Sequence, residues 1–282
     1  MPSKPLDGKV ALVTGAGSPI GLGFNMAAAL VEAGAKLAMV DVNEEWMDES
    51  ANDLREMAGD DNIITILADV SDASSAQVAV RSTITHLGGL HILINNAGIS
   101  AGNLGLAGQG ATNFWDITPE MWQRVISVNF SGPFHMARAA VGHMIEQRWG
   151  RIIGVTTSFD TMYRKGGTPY GPSKAGHEAL IALMSRELDG TGVTANVLVP
   201  GGATNTNLLP PDTSLDRSAI IQPGIMRSPA VWLASEQSDG VNGQRFIAQF
   251  WDEDLPLPQR IEQAGGPAAW PQLGRTTPSP GT

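Results

Sequence analysis

Along residues 9–199, short apolar runs rich in β-branched side chains alternate with longer segments whose apolar positions recur every three or four residues. The runs at 9–13, 36–40, 63–67, 91–94, 151–156 and 193–199 predict strands, and the segments at 20–32, 44–57, 73–86, 119–128, 132–148 and 170–189 predict helices. Strands that are apolar throughout, each followed by a crossover helix, imply a parallel sheet covered on both faces. With a last strand around Arg245 and Phe246, the expected architecture is an α/β fold with a doubly wound parallel sheet of about seven strands. One domain is expected over 1–250, without internal repeats. A Pro- and Gly-rich tail over 251–282 is expected to be extended, packed over a neighbouring subunit or disordered. Two long loops, 100–113 and 200–217, follow the carboxyl ends of strands, where doubly wound sheets bind ligands.

Composition narrows the partners. The 282 residues carry 18 Lys and Arg against 28 Asp and Glu, a formal charge of −10 with no basic run, which argues against nucleic acid and anionic membrane surfaces. Cysteine is absent, which excludes disulfides, thiolate catalysis and cysteine-ligated metals, and no metal site is expected. Neither a signal-peptide core nor an apolar run of the roughly 18 residues that a membrane helix needs is present, so a cytoplasmic protein is expected.

The first strand runs straight into Val13-Thr14-Gly15-Ala16-Gly17-Ser18-Pro19-Ile20-Gly21-Leu22-Gly23, with four glycines in nine positions from Gly15. A Gly-rich turn that leaves a strand and opens a helix lets backbone N–H groups face a pyrophosphate, which makes Gly15, Ser18, Ile20, Gly21 and Gly23 candidate phosphate contacts. The next strand ends in Asp41, 18 positions beyond Gly23, close to the separation of about 20 at which a carboxylate meets the adenosine ribose hydroxyls. That carboxylate repels a 2′-phosphate, and no Arg or Lys lies in the glycine loop or the three residues after Asp41 to offset it. The expected cofactor is NAD. Tyr170 and Lys174 stand four residues apart, on one face of a helix. An ammonium beside a phenol favours the phenolate and is expected to lower its pKa from about 10 toward neutrality, which makes Tyr170 a candidate general acid or base. Pro172 fits only the first turn, so Tyr170 is expected at the helix start beside the crevice.

Together these residues resemble the short-chain dehydrogenase/reductase family over residues 7–248. The glycine loop, Asp41, Ala68-Asp69-Val70, Asn95-Asn96-Ala97-Gly98, Val128-Asn129, Tyr170 with Lys174, and Pro200-Gly201 all fall in the family's order. The resemblance implies a Rossmann-like fold and hydride transfer between a nicotinamide and a carbinol or carbonyl carbon. It implies that Tyr170 exchanges the proton and that Lys174 lowers its pKa and holds the nicotinamide ribose. By the same resemblance Asn129 places Lys174 through a water relay, Asp69 and Val70 border the adenine, and Asn96, Ala97 and Gly98 pass beside the riboses. The family's substrate-holding serine falls by spacing on Thr157 and by chemical type on Ser158, and either hydroxyl could serve an oxyanion. Pro200 and Gly201 belong to the nicotinamide end, with Thr204 or Thr206 as the carboxamide contact.

Three departures stand out: two extra residues in the glycine loop, a proline inside Tyr170-Gly171-Pro172-Ser173-Lys174, and Ile247-Ala248-Gln249-Phe250-Trp251 in place of the family's usual Asp-Gly-Gly ending. Phe114, Trp115, Phe159, Met162, Tyr163, Leu208, Leu209 and Met226 are expected around a mainly apolar substrate pocket suited to a bulky or aromatic secondary alcohol or ketone. A homodimer or homotetramer is implied by resemblance. The competing readings are an acyl-thioester ketoreductase and a non-catalytic NAD(H)-sensing regulator.

Overall fold

The computed structural model describes residues 4–104, 113–209 and 213–271. Parts of both long loops therefore lie outside the described residues, as does the tail from 272 onward. In chain order the strands are β1 Val10–Thr14, β2 Lys36–Asp41, β3 Ile63–Leu67, β4 Ile92–Asn95, β5 Gly150–Val155, β6 Val193–Val199, β7 Gln244–Ile247 and β8 Gly265–Pro267. The α-helices are α1 Leu22–Glu32, α2 Glu44–Ala58, α3 Ala73–Leu87, α4 Pro119–Ile126, α5 Gly132–Glu146, α6 Phe159–Tyr163, α7 Tyr170–Glu187, α8 Arg227–Ala234 and α9 Leu257–Ala264.

The strands form one sheet in the order β3-β2-β1-β4-β5-β6-β7-β8, parallel except for the last pair. Side chains alternate faces along each strand. Ala11 and Val13 of β1 join a core with Met26 and Leu30 of α1 and Trp232 of α8, whereas Val10 and Leu12 join one with Val80 of α3, Met136 of α5 and Ile181 of α7. Both faces are thus covered, which is why the strands read as unbroken apolar runs. The helices begin where caps are available: Asn43 accepts from the Trp46 amide at 2.9 Å, Asp72 from Ser75 at 2.9 Å and Thr118 from Met121 at 3.2 Å. Between α4 and α5 the chain widens into a π-helical turn, Ser127–Ser131, that carries Asn129.

The segment after 250 corrects the sequence expectation. In place of an extended tail, α9 follows, and β8 pairs antiparallel with β7, Gln244 opposite Pro267, as an eighth strand. The Gly265-Gly266-Pro267 strand has no side-chain pattern of its own; pairing with β7 defines it. Trp251 anchors the approach, its ring centroid 4.8 Å from Trp232 and 6.3 Å from Phe246, while Trp232 and Phe246 meet edge-on at 5.0 Å.

Phe246 is 1% exposed at the centre of this cluster. Phe246→Ala is expected to destabilise the fold by about 3–5 kcal/mol, read by denaturant unfolding. A loss under about 1 kcal/mol would show that the β7 region does not support the domain.

Candidate active site at the carboxyl ends of the strands

Strand order reverses between β1 and β4, and there the chain leaving β1 turns away from the chain leaving β4. One threonine ties the two. The Thr14 hydroxyl donates to the Ile94 carbonyl and accepts from the amides of Asn96 and Ala97 at 3.0 and 3.1 Å. The Asn96 side chain returns the link by donating to the carbonyls of Thr14 and Gly15, both at 3.0 Å. So close an approach requires glycine at 15, with φ +66°, where a Cβ would lie 2.8 Å from the Ala97 Cα.

Above this junction lies a crevice of about 880 Å³, within the range of small-molecule sites. Gly15, Ser18, Gly21, Asp41, Asp69, Val70, Asn96, Ala97, Gly98, Thr157, Tyr170, Lys174, Pro200, Thr204 and Thr206 line it. The structure thus brings most of the expected site residues to one surface. Five lie elsewhere, for different reasons. Ile20 is exposed at the tip of the lengthened glycine turn. Gly23 is buried against the turn, where a Cβ would strike the Gly15 carbonyl, so its role is packing. Gly201 backs onto Gln249 at φ +113°. Asn129 is fully buried, and Ser158 starts α6 with its hydroxyl 2.7 Å from that of Thr161.

The fit to a dinucleotide rests on the crevice's own donors. Helix α1 starts at Leu22 without a side-chain cap and without an acid in its first turn, so its free N–H groups suit an anion beside Gly21. Asp41 takes the Gly17 amide at 2.9 Å on one oxygen and the Val42 and Asn43 amides on the other, which fixes the carboxylate at the crevice wall. Further along, partial burial acts to raise the Asp69 carboxyl, but hydrogen bonds from the Ser71 hydroxyl and amide and from Arg124 hold it below its ordinary value. Trp46 and Arg124, which the sequence did not single out, also line this end. Neither belongs to a motif. Nor does Asn207, whose amide donates to the Ser18 hydroxyl at 3.0 Å and so joins the loop after β6 to the glycine turn.

At the other end, Tyr170 opens α7 and Lys174 follows one turn later, its Nζ 5.9 Å from the phenol ring centroid. Lys174 is 3% exposed and donates to the Val155 carbonyl at 2.9 Å. A Cβ on Gly98 would lie 3.2 Å from that Nζ and 3.4 Å from the Asn129 side-chain Oδ1. Asn129 does not reach the crevice; it grips the Ile99 backbone through both amide atoms at 2.8 Å and donates to the Ser173 hydroxyl at 3.0 Å. His177, one turn beyond Lys174, is buried, and burial together with the Lys174 charge holds it neutral. Thr157, not Ser158, lines the crevice together with Tyr170, and its side chain acts against the upward shift of the phenol.

The expected depression of the tyrosine pKa does not hold. Burial pushes the phenol up to about 12, against an opposing effect of the Thr157 side chain, and burial pushes Lys174 down to about 8. Sequence spacing places the ammonium near the phenol but says nothing of the solvent that both lose on folding. The expected substrate ring is also corrected. Leu208 and Leu209 line the crevice, Met226 is core, and Phe114, Trp115, Phe159 and Tyr163 are exposed outside the lining. Met162 is buried without reaching the lining. Among the described residues, no cluster of His, Asp and Glu could hold a metal ion, and no helix is long and apolar enough to cross a membrane.

Comparison with known proteins agrees with this geometry. The sequence model of the family described as short chain dehydrogenase matches residues 9–214. The chain is 30% identical to the 2,5-dichloro-2,5-cyclohexadiene-1,4-diol dehydrogenase of Sphingobium indicum, over 84% of this chain and 93% of that protein. It is 39% identical to versicolorin reductase 1 of Aspergillus parasiticus over 70% of each chain. A solved dehydrogenase/reductase from Sinorhizobium meliloti 1021 superposes with a TM-score of 0.74 at 29% identity, covering 87% of this chain and 94% of that one.

The lysine gives a pH test. Between pH 8 and the ordinary lysine value of 10.5 the folded state has released the Lys174 proton and the unfolded chain still holds it, so stability rises with pH in that window and is lost again as pH falls through 8. From pH 8 to 10, unfolding free energy should rise by about 2 kcal/mol more in the wild type than in Lys174→Met. Equal slopes in the two proteins would remove the assigned burial effect.

Proposed function

This chain belongs to the short-chain dehydrogenase family, and we propose that it transfers a hydride between NAD(H) and a secondary alcohol or ketone that is bulky or ring-bearing. The observation that carries this reading is the convergence of Tyr170, Lys174 and Thr157 on one crevice wall beyond the end of β5, with the Lys174 Nζ 5.9 Å from the phenol ring centroid.

Gly15, Ser18, Gly21 and the α1 N-terminus would hold the pyrophosphate, Asp41 the adenosine ribose, and Lys174 the nicotinamide ribose. A nicotinamide bound there supplies the hydride acceptor for a carbinol or the donor for a ketone. Tyr170 takes the hydroxyl proton as the carbonyl forms and returns it in the reverse direction. Thr157 donates to the same substrate oxygen, which steadies the charge that develops on it. The raised phenol pKa keeps Tyr170 protonated at neutral pH, the form that protonates a reduced ketone. In the oxidative direction the Lys174 ammonium must stabilise the phenolate. Asp41 disfavours a 2′-phosphate, which supports NAD over NADP.

Leu208, Leu209 and Leu215 give the crevice mouth apolar walls suited to a ring, and the Sphingobium relative is named for a cyclic diol. Phe130 and Phe134, exposed and one helical turn apart, continue onto α7, where Phe130 packs over Gly176 and Leu183 is exposed two turns on. We assign this apolar strip to a second copy of the chain in a homodimer or homotetramer, and place the protein in the cytoplasm.

Nicotinamide absorbance tests the reading, with 1-tetralol and cyclohexanol plus NAD, and 1-tetralone and an acetoacetyl thioester plus NADH. Tyr170→Phe should lower turnover at least about 100-fold with NADH affinity nearly unchanged. Turnover preserved in that variant would refute the tyrosine's role. Asp41→Ala should narrow the preference for NADH over NADPH by about tenfold or more, and unchanged selectivity would remove Asp41 as its source.

A further inference from the structure

Behind Thr157 lies a buried ion pair that the reaction above does not use. Glu178 is fully buried, Arg245 nearly so, and Arg245 Nη1 donates to Glu178 Oε2 at 3.0 Å. Glu178 follows Lys174 by four residues and Tyr170 by eight, so the three share one face of α7. Each remaining bond of the pair leads to the crevice wall or to the end of the described chain. The Thr156 hydroxyl donates to Glu178 Oε2 at 2.9 Å, the Ala269 amide to Oε1 at 3.4 Å, and Arg245 Nη2 donates to the Thr157 carbonyl at 3.0 Å.

Stability alone does not account for this arrangement. Well-packed apolar side chains of similar volume often match or exceed a buried ion pair, because both charges lose their hydration. Burial here pushes the Glu178 carboxyl up and the Arg245 guanidinium down from their ordinary values. What the pair does is local: β5 ends at Val155, and the next two residues are gripped from behind by the carboxylate and the guanidinium.

We propose that Glu178 and Arg245 are positioning residues that hold the Thr157 hydroxyl in register with the Tyr170 phenol, so that one substrate oxygen meets both. The proposal rests on the roles given to Thr157 and Tyr170 above. Arg245 comes from β7 and Ala269 from the turn after β8, so the last part of the chain sets the geometry of a site otherwise built from earlier elements.

The test replaces the pair by Glu178→Leu with Arg245→Met and measures turnover of whichever of the four probe substrates is processed fastest. The double variant should keep its melting temperature within a few degrees and its KM for NAD(H) within about twofold, while kcat falls about 10- to 100-fold. Glu178→Gln, which keeps acceptors for Thr156 and Arg245, should recover most of that loss. In a Thr157→Val background the same double replacement should cost less than about threefold further, because the group it positions is gone. A crystal structure of the double variant should show the Thr157 hydroxyl displaced from the phenol, a readout that needs no substrate. Should the double variant fail to fold, Arg245→Lys, which lacks the fork to serve both acceptors, is measured in the same way. Wild-type kcat in the folded variant, an undisplaced Thr157, or a full additional loss in the Thr157→Val background would each overturn the proposal. In those cases impaired turnover in Thr157→Val and Tyr170→Phe would leave the reaction assignment standing. Full turnover in Thr157→Val would overturn both.

Discussion

A lysine ammonium with almost none of its surface in water is the constraint around which the site is arranged. Lys174 donates a hydrogen bond to the Val155 carbonyl at the end of β5, and this bond ties α7 to the strand end. Its neighbours then have little freedom. A side chain at Gly98 would crowd both the ammonium and the Asn129 side chain, and Asn129, buried in a widened π-helical turn, grips Ile99 and Ser173 at once. His177 stays neutral beneath the charge. A buried cation is tolerated only where a hydrogen-bond acceptor is built for it, and here that acceptor is the Val155 carbonyl at the strand end, which ties the helix of Tyr170 to the crevice.

The sheet makes that tie reproducible. Parallel strands end at one rim, so residues far apart in sequence arrive side by side without long-range loops: Thr14 from β1, Asn96 after β4, Thr157 after β5 and Pro200 after β6. The Thr14 hydroxyl, satisfied by one acceptor and two donors, closes the rim at the point where strand order reverses. On either side of it the chain diverges, and the crevice is the space left between.

Much of this was legible from the sequence, for identifiable reasons. Strands 63–67 and 193–199 coincide with β3 and β6 because both are short, β-branched, mainly apolar runs bounded by turns; β6 is buried throughout, and β3 is half-buried at the sheet edge. The glycine loop, Asp41, Tyr170 and Lys174 reach one crevice because the first two stand at the ends of adjacent strands and the last two on one face of one helix. The misses have physical causes too. Gly265-Gly266-Pro267 carries no strand signal, and only pairing with β7 makes it one. Between Thr157 and Ser158, chemical type favoured serine, but the start of α6 turns the Ser158 hydroxyl toward Thr161 and leaves the threonine on the crevice wall. The direction of the Tyr170 shift was reversed because a sequence shows which charge is near and not how much water is lost.

The same distinction separates Lys174 from the Glu178–Arg245 pair. Both are buried charges on or against one face of α7, yet they are satisfied in opposite ways. Lys174 has a single backbone acceptor and lines the crevice, so its charge faces the open site. Glu178 and Arg245 neutralise each other and direct their spare hydrogen bonds to Thr156, Thr157 and Ala269, so their charge is used up in geometry. One face of α7 therefore carries, in successive turns, the phenol of Tyr170, the ammonium of Lys174 and the carboxylate of Glu178, the last neutralised by Arg245 from β7. The order follows from depth: the further a turn lies from the crevice, the less a charge can do for the substrate and the more its hydrogen bonds can do for the backbone.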